Sequence, residues 1–324
     1  MSTYLCLSDS SIPTAGFEEF LIFRRGKMKK RLIVFLTLLV LVLGSSFVQA
    51  EIMITDDLDR EISLEQKAER VVSLAPSNTE ILFELGLEEK IVGVTEYCDY
   101  PKQALETNNV GAITEPNVEE IIELEPDLVV AAGINPMDIV DRLEELGITV
   151  VGFEPENISE IFTTIDNIAQ LTGQQQEAKT VLKDLNERKA QVVETVEAEV
   201  DERPTVFYEI WKEPLTTAGG GTFINDIIEL AGGENIAADA GEQWPQFSLE
   251  VLLAENPDIY LSSEHSWTNE VTKESILNRD NYDNLTAIQE ERVAVLDQDL
   301  LSRGGPRIIT GLEKVAEAIH PEIF

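Results

Sequence analysis

Apolar residues recur along this chain in two alternating forms, short continuous runs and longer stretches with helical spacing. Residues 71–75 form such a run, and Pro76 and the polar residues 77–79 separate it from apolar positions with helical spacing that end at Gly86. This order predicts a buried strand, a turn and a helix. A further apolar run at 91–94 predicts a second strand, and polar and aromatic residues follow it.

The alternation of strands and helices continues through the first half of the chain. Predicted strands at 108–112, 128–132 and 148–153 are separated by short helical patterns. Buried strands that alternate with helices are typical of a doubly wound parallel sheet. We therefore predict an α/β lobe at 51–156. Ligands bind outside the carboxyl ends of such strands, so we expect the segment that contains Tyr97 on the binding edge.

Residues 157–202 have helical spacing almost throughout. Gly173 interrupts the pattern, and residues 174–200 contain neither Gly nor Pro. A continuous helix of that length would span on the order of 40 Å at 1.5 Å per residue. We predict a helical connector with one long rigid helix, followed by a second alternating α/β lobe at 203–324.

The two alternating regions share a short sequence pattern. Residues 119–130 have the sequence EEIIELEPDLVV and residues 250–261 have EVLLAENPDIYL, so Glu, Pro and Asp recur at a constant offset of 131 residues. Pro-Asp is also a common way to end a helix in α/β chains, and this is the simpler explanation of the shared pattern. We favour two homologous lobes whose strand ends face a common cleft, because such clefts are a preferred location for ligand pockets.

Residues 1–50 differ in character from the rest of the chain. From Met28, three basic residues precede the apolar run 32–43, and small and polar residues continue to Ala50. This order is typical of a secretory signal peptide, and the apolar run is short for a membrane anchor, the alternative, which must span about 30 Å of hydrocarbon. We expect a signal peptide at about 28–50 that is cleaved after Ala50, and we assign no structure to the upstream extension.

The two cysteines bear on the exported form of the protein. Neither lies near the expected cleavage point, so the usual lipid attachment of an exported lipoprotein lacks its residue. Cys6 precedes the signal segment and Cys98 is the one cysteine of the expected mature chain, which excludes an intramolecular disulfide. We expect a periplasmic or secreted protein without a lipid anchor, whose stability comes from packing.

The charge of the chain limits its partners. The formal net charge is −37, and so acidic a surface repels nucleic acid and anionic lipid headgroups. We therefore expect neither as a partner. We interpret the acidity as a solvated surface suited to a saline environment rather than as an acidic binding patch.

Groups that could support catalysis or hold a metal are sparse. The chain has two histidines and no cysteines with metal-ligand spacing, which argues against a tight zinc or manganese site. The Gly-rich residues 219–221 lack the Lys of a P-loop. No pairing of a nucleophile with a base is apparent. We expect a protein that is not an enzyme and that has no resident metal or cofactor.

Aromatic residues and a histidine at predicted strand ends are candidate ligand contacts. Tyr97, Trp211 and Trp267 can pack against a large flat ligand, because aromatic rings supply much contact area at low entropic cost. His265 follows the predicted strand 259–262, and it is either a polar surface residue or an axial ligand to the metal of a bound cofactor-like ligand.

Two arginines follow the predicted strand 293–296 in the sequence DLLSRGGPR. Arg303 lies beside two glycines, and we expect it to reach an amide, carboxylate or phosphate of the ligand, because its planar fork makes directed hydrogen bonds. For Arg307 we favour a salt bridge or a contact with the helix turn.

The motifs that carry a family resemblance cover nearly all of residues 68–320. They are RVVSLAPSNTEILFELG, VGVTEYCDYP, NVEEIIELEPDLVV, PLTTAGGGTFINDIIELAGGENIA, WPQFSLEVLLAENPDI and RGGPRI. Together they resemble the periplasmic binding proteins of ABC importers for cobalamin and ferric siderophores. The resemblance implies two doubly wound Rossmann-like α/β lobes joined by a single long helix, with the ligand cleft between them.

The cobalamin-binding members of that class are the most similar in these motifs. Their cleft Tyr matches Tyr97, and their cleft Asp and Arg match Asp299 and Arg303. Two cleft tryptophans have no counterpart, since Ile113 occupies one position and the region 133–135 lacks the other. The resemblance implies capture of a corrinoid by Tyr97, Asp299 and Arg303. Trp211 and Trp267 of the second lobe are the candidates to compensate for the missing tryptophans.

The resemblance also implies a membrane partner. In this family one surface Glu of each lobe docks onto Arg pockets of the permease, and these glutamates match Glu119 and Glu250, the residues that the internal repeat pairs. We expect a monomeric receptor that delivers its ligand to an ABC permease and its ATPase. Within the class the alternatives are a haem, for which Tyr97 and His265 are available as axial ligands, and a ferric siderophore, which calls for more cations than Arg303 and Arg307. Outside the class the alternative is an extracytoplasmic α/β enzyme similar to metal chelatases.

Overall fold

Two parallel sheets, one in each half of the chain, organise the fold. The computed structural model describes residues 51–264 and 271–324. The strands of the first half are β1 (Ile52–Thr55), β2 (Glu61–Leu64), β3 (Val71–Ser73), β4 (Ile91–Val94), β5 (Asn108–Asn109), β6 (Gly111–Ala112), β7 (Glu115–Pro116), β8 (Leu128–Ala132) and β9 (Val150–Phe153). Its helices are α1 (Pro76–Glu84), α2 (Val118–Glu123) and α3 (Met137–Glu145), with 3₁₀ turns at Glu88–Lys90 and Lys102–Glu106.

The first sheet is parallel and buried. Its strand order is β5-β4-β3-β8-β9, and every residue of β3 and β9 is buried. Burial on both faces is the physical reason for the continuous apolar runs in the sequence. The chain proceeds from β3 to β4 on one side and later enters β8 on the other, so a crevice opens outside the carboxyl ends of β3 and β8.

One predicted strand of this sheet is two strands in the structure. The prediction of a single strand at 108–112 is wrong, because β5 pairs with β4 in the parallel sheet whereas β6 forms an antiparallel hairpin with β7. Gly111 has a φ of 100°, in the left-handed region. Glycine adopts this conformation at little steric cost. The left-handed conformation at Gly111 redirects the chain away from the sheet.

A buried carboxylate fixes the hairpin that β1 and β2 form. Asp56, between these strands, accepts hydrogen bonds from the backbone amides of Arg60 and Gly152, each at 3.0 Å. Its Oδ2 also lies 2.6 Å from Nη2 of Arg60. Burial alone would raise the pKa of Asp56, but the hydrogen bonds from Arg60 and Gly152 and the Arg60 charge outweigh it and hold the pKa below its ordinary value.

We expect Asp56→Asn to lower the free energy of unfolding by about 1–3 kcal/mol at neutral pH. A carboxylate whose pKa falls on folding stabilises the fold above its unfolded pKa of about 3.9, and this contribution is lost as the pH falls through the folded value. Urea unfolding between neutral pH and about pH 3 should therefore show the deficit of the variant shrinking below about pH 4. Asp59→Asn is the control, because Asp59 is exposed with a φ of 58° that Asn tolerates. A deficit independent of pH would contradict the linkage.

Two helices connect the halves. They are α4 (Ile158–Thr172) and α5 (Gln175–Glu199), and Gly173 ends α4 with a φ of 81°. Helix α5 has 25 residues, which corresponds to about 38 Å at 1.5 Å per residue. The prediction of one long helix at 174–200 is confirmed.

The second half repeats the parallel α/β arrangement. Its strands are β10 (Thr205–Lys212), β11 (Leu215–Thr217), β12 (Glu234–Asn235), β13 (Ile259–Glu264) and β14 (Val293–Asp297). Its helices are α6 (Phe223–Leu230), α7 (Leu249–Glu255), α8 (Lys273–Leu277), α9 (Thr286–Gln289), α10 (Gln298–Ser302) and α11 (Ile308–Ile319). The order of the sheet is β11-β10-β13-β14, with β12 also on β10, and only the β10–β11 pair is antiparallel among these described strands.

A continuous apolar core joins the two sheets through the connecting helices. It includes Val71 of β3, Ile165 of α4, Leu185 of α5 and Val206 of β10. Alternate residues of the same strands supply two further cores, one in each half. Residues 51–324 form one compact unit. The fold class, two α/β lobes joined by a long helix, is confirmed, while the predicted boundaries at 156 and 202 stay predictions.

The internal repeat of the sequence is also a repeat of structure. Helices α2 and α7 begin alike, because the side chains of Asn117 and Ser248 each accept a hydrogen bond from a backbone amide of the first turn. Glu125 and Asn256, which follow the helices, both have a φ of 46°. Both pairs have the offset of 131 residues, so the repeat extends from the helix cap to the turn.

The aspartates of the repeat have the same role in each lobe. Asp127 accepts hydrogen bonds from the backbone amides of Glu69 and Arg70 at 2.9 and 3.1 Å. Asp258 accepts from the backbone amide and the hydroxyl of Thr205 at 2.8 and 2.7 Å. Each Asp thus ties the start of its own strand to the start of the neighbouring parallel strand. This shared geometry supports the interpretation of two homologous lobes.

Candidate ligand-binding cleft

A cavity of about 640 Å³ lies between the lobes, at the carboxyl ends of the first sheet. Its described lining consists of Tyr97, Ile113, Phe223 and residues 75–77, 132–134, 153–155, 298–299 and 302–304. The volume is within the range of about 300–1,000 Å³ that is usual for small-molecule sites. The cavity includes the crevice outside β3 and β8, where the sheet topology predicts ligand binding.

Tyr97 reaches the cavity from an anchored turn after β4. Its neighbour Cys98 is buried, and the Thr79 hydroxyl donates a hydrogen bond to the Cys98 sulfur at 3.1 Å. On the other side, the amide of Glu96 donates to the carbonyl of Gly111 at 3.0 Å. These contacts fix the turn while 49% of Tyr97 stays exposed. Burial raises the pKa of the Cys98 thiol, which keeps it protonated at neutral pH.

Asp299 and Arg303 reach the same cavity from a short helix of the second lobe. Asp297 begins α10 by accepting a hydrogen bond from the amide of Asp299 at 2.9 Å. Arg303 follows the helix one turn later, and its Nη2 lies 2.9 Å from Oδ2 of Asp299. The structure thus brings Tyr97, Asp299 and Arg303 to one cavity. Their role in ligand binding stays a prediction.

Arg303 and Arg307 also bind carboxylates of the first lobe. Nη1 of Arg303 lies 2.8 Å from Oδ1 of Asp99 and 3.1 Å from Oε1 of Glu80. Arg307 donates to both carboxylate oxygens of Glu80, at 2.9 and 2.6 Å, and its guanidinium lies 3.9 Å from the ring centre of Tyr100. The Glu80 side chain is 2% exposed. The salt bridge that we favoured for Arg307 is confirmed, and Arg303 makes ion pairs that the sequence did not reveal.

The pKa values of Arg303, Arg307 and Asp299 are shifted in this network. Burial opposes the charge of Arg303, but the hydrogen bond to Asp99 and the charges of Asp299, Asp99 and Glu80 outweigh it and raise the pKa of Arg303. The pKa of Arg307 is raised in the same way, chiefly by its hydrogen bonds to Glu80. Burial raises the pKa of Asp299, although the Arg303 charge counteracts part of this. Both guanidinium groups therefore stay charged.

Comparison with known proteins decides the family. A family model described as periplasmic binding protein matches residues 71–300. The chain belongs to the periplasmic binding protein family. The resemblance drawn from the sequence motifs is confirmed.

Three similar proteins indicate the range of the family. The chain is 33% identical to an uncharacterized ABC transporter substrate-binding lipoprotein of Bacillus subtilis over 279 residues, 84% of this chain and 87% of the relative. It is 33% identical to the vitamin B12-binding protein of Vibrio cholerae over 250 residues, 76% of this chain and 88% of the relative. The crystal structure of a possible iron-binding (periplasmic solute-binding) protein of Staphylococcus epidermidis superposes with a TM-score of 0.69 at 32% identity, covering 79% of this chain and 100% of that one.

The paired glutamates of this periplasmic binding protein occupy equivalent surface positions. Glu119 and Glu250 lie in the first turns of α2 and α7, and both are exposed. Oε1 of Glu119 lies 3.4 Å from Nη2 of Arg142, itself 58% exposed, and solvent weakens such a pair. The geometry places one exposed Glu on each lobe, and permease docking stays a prediction.

The other predicted contacts lie elsewhere. Trp211, at the end of β10, is 46% exposed, and its indole donates to the carbonyl of Glu213 at 2.9 Å. It is not among the described residues that line the cavity. His265 and Trp267 lie outside the described residues. The ligand-binding roles of all three stay predictions.

Part of the cavity wall of this family member was not predicted from the sequence. Ile134, Phe153 and Phe223 line the cavity but were not singled out. A signal for Phe223 was present, because it opens a helix immediately after the Gly-rich loop. Ile113 was noted only as the replacement of a tryptophan, and it does line the cavity.

Two features are absent from residues 51–264 and 271–324, the part of the chain that the structure describes. Within these ranges no three His, Cys, Asp or Glu side chains are grouped so that they could hold a metal ion. In the same part of the chain, no helix combines the length and the apolar character that a bilayer crossing requires.

Proposed function

We propose that this periplasmic binding protein is the extracytoplasmic receptor of an ABC importer. In this proposal it captures a corrinoid in the cleft between its lobes, does no chemistry on it, and delivers it to the permease. The names of the relatives support the class, since one is an ABC transporter substrate-binding lipoprotein and another binds vitamin B12.

The observation that carries the proposal is the composition of the cavity. Apolar side chains, Ile113, Ile134, Phe153 and Phe223, share the wall with Tyr97, Asp299 and Arg303. A corrin ring offers an apolar face to the apolar side chains, and it offers a rim of amide groups to Tyr97, Asp299 and Arg303. The aspartate accepts hydrogen bonds and the arginine donates them, so together they match the N–H and C=O groups of an amide.

The test is calorimetric titration of the mature protein, residues 51–324, with cyanocobalamin, cobinamide, haemin and a neutral ferric hydroxamate at matched salt. We expect saturable binding of the corrinoids. Tyr97→Ala should weaken it by about 10- to 100-fold, or about 1.4–2.8 kcal/mol, because an exposed ring in a cleft supplies contact area. Tyr97→Phe should retain most of the affinity. Leu105→Ala is the control, because Leu105 is 65% exposed outside the cavity lining.

Other results would change the conclusion in defined ways. Binding of haemin or the hydroxamate without any corrinoid would overturn the choice of ligand and leave the receptor class standing. Loss of affinity on replacing Tyr97 by Phe would point to its hydroxyl, as expected for an axial ligand to haem iron. Turnover of a chelate by the purified protein would favour the chelatase-like alternative over a receptor.

A further inference from the structure

Arg303 of the cavity wall and its neighbour Arg307 are already matched by carboxylates. Nη1 and Nη2 of Arg303 together contact Glu80, Asp99 and Asp299 within 2.8–3.1 Å. Arg307 forms a bidentate pair with Glu80. Neither guanidinium therefore presents an uncompensated positive charge to a ligand.

A further carboxylate faces the cavity from the first lobe. Glu154 lines it and is exposed. Its side chain lies against Gly133, where an added Cβ would be 2.2 Å from the carboxylate carbon. Among the described residues of the cavity and its ion-pair network, the charged groups are four carboxylates, those of Glu80, Asp99, Glu154 and Asp299, and the two guanidinium groups. This set has a formal surplus of two negative charges.

We propose that the cleft selects ligands that carry no net negative charge, and that Glu80 is the positioning residue that holds and neutralises both arginines. This inference rests on the proposed function of the cleft as a ligand site. An anionic ligand meets the surplus of carboxylates in a partly buried site, where charges interact more strongly than in water. A neutral amide can still accept a hydrogen bond from Arg303, because a guanidinium has five N–H donors.

Displacement of Arg303 by an anion is opposed by the geometry. If Arg303 turned away from the first lobe, Asp99 would lose its partner at 2.8 Å and Glu80, 2% exposed, would keep only Arg307 among its described ion pairs. A buried carboxylate that loses a hydrogen-bonded cation is strongly disfavoured. The network thus resists conversion of Arg303 into an anion receptor.

Matched ligand pairs isolate charge from shape. We would titrate the protein with cyanocobalamin and a monocarboxylic acid made by hydrolysing one of its amides, and with the dimethyl ester of haemin and haemin itself. For whichever of the two ligand pairs binds, the neutral member should bind at least about 10-fold tighter than the anionic member, which is 1.4 kcal/mol. This ratio should fall as salt screens the carboxylates.

Two variants test the named residues. Glu80→Gln should lower the ratio of neutral to anionic affinity by about 3-fold or more, since one negative charge and the neutralising partner of both arginines are removed. Asp99→Asn should shift the ratio in the same direction. The Asp99 side chain is 52% exposed, so this variant does not alter a buried side chain. Glu84→Gln is the matched control on the same helix, because Glu84 is exposed, and its ratio should equal that of the wild type.

The outcomes are distinct. Equal or tighter binding of the anionic member by the wild type would overturn the inference and leave the proposed function intact. A ratio unchanged in both Glu80→Gln and Asp99→Asn would remove Glu80 from its positioning role. Failure of all four ligands to bind would instead defeat the proposed function itself.

Discussion

Reversal of both paired glutamates, Glu119→Lys with Glu250→Lys, is expected to abolish uptake through the importer without changing ligand affinity. Both residues are exposed, one on each lobe, at equivalent positions of the structural repeat. In the predicted docking each new Lys would face an Arg pocket of the permease, and like charges placed together across an interface cost several kcal/mol, so uptake should fall by about 100-fold or more. Uptake of labelled ligand by cells that carry the importer measures the first effect, and calorimetry of the purified variant measures the second.

The control for this experiment has the same change of net charge. Glu120→Lys with Glu255→Lys alters exposed acidic residues of the same two helices and should leave uptake near the wild-type level. Lys in a first helical turn opposes the helix dipole by about 0.3–1 kcal/mol, so unfolding of the docking variant must be measured as well. Normal uptake by that variant, or weakened ligand binding, would remove the docking role from Glu119 and Glu250.

The elements that sequence patterns predicted are those with a strong local signal. The repeat at an offset of 131 residues correctly located α2 and α7, because each helix has its own polar cap and a Pro-Asp stop. Helix α10 was missed, since it has five residues and its N-cap Asp297 is also the last residue of β14. A helix so short owes its existence to packing and a cap, not to apolar periodicity.

The candidate site likewise contains residues that the sequence predicted and residues that it did not. Tyr97 and Arg303 were predicted from their positions after strands of the two lobes, whereas Asp299 rests on family resemblance. Glu80 was not foreseen at all. In the segment TEILFELG it is one acidic position on a helix, and its partners Arg303 and Arg307 lie 223 and 227 residues further along the chain. Only the tertiary structure makes this carboxylate a buried anchor.

A second large effect is expected in the core of the second lobe, where Arg279→Met should lower the free energy of unfolding by about 3–5 kcal/mol. Glu209 on β10 accepts a hydrogen bond from Nη2 of Arg279 at 2.8 Å, and the Tyr260 hydroxyl also binds it. The side chains of Arg279 and Glu209 are 8% and 2% exposed. Removal of the arginine leaves a carboxylate in a site where water cannot replace its partner. Urea unfolding of the purified variant measures the loss.

The double variant Arg279→Met with Glu209→Gln separates the pair from its surroundings. Because replacement of both charges leaves no buried ion, the double variant should be more stable than Arg279→Met alone, with most of the deficit recovered. Arg203→Met is the matched control, since Arg203 is exposed and donates to the carbonyl of Glu229 at 2.9 Å; it should change stability by about 0.5 kcal/mol or less. An equal loss in the single and double variants would mean that packing around Arg279, not compensation of the Glu209 charge, stabilises this part of the sheet.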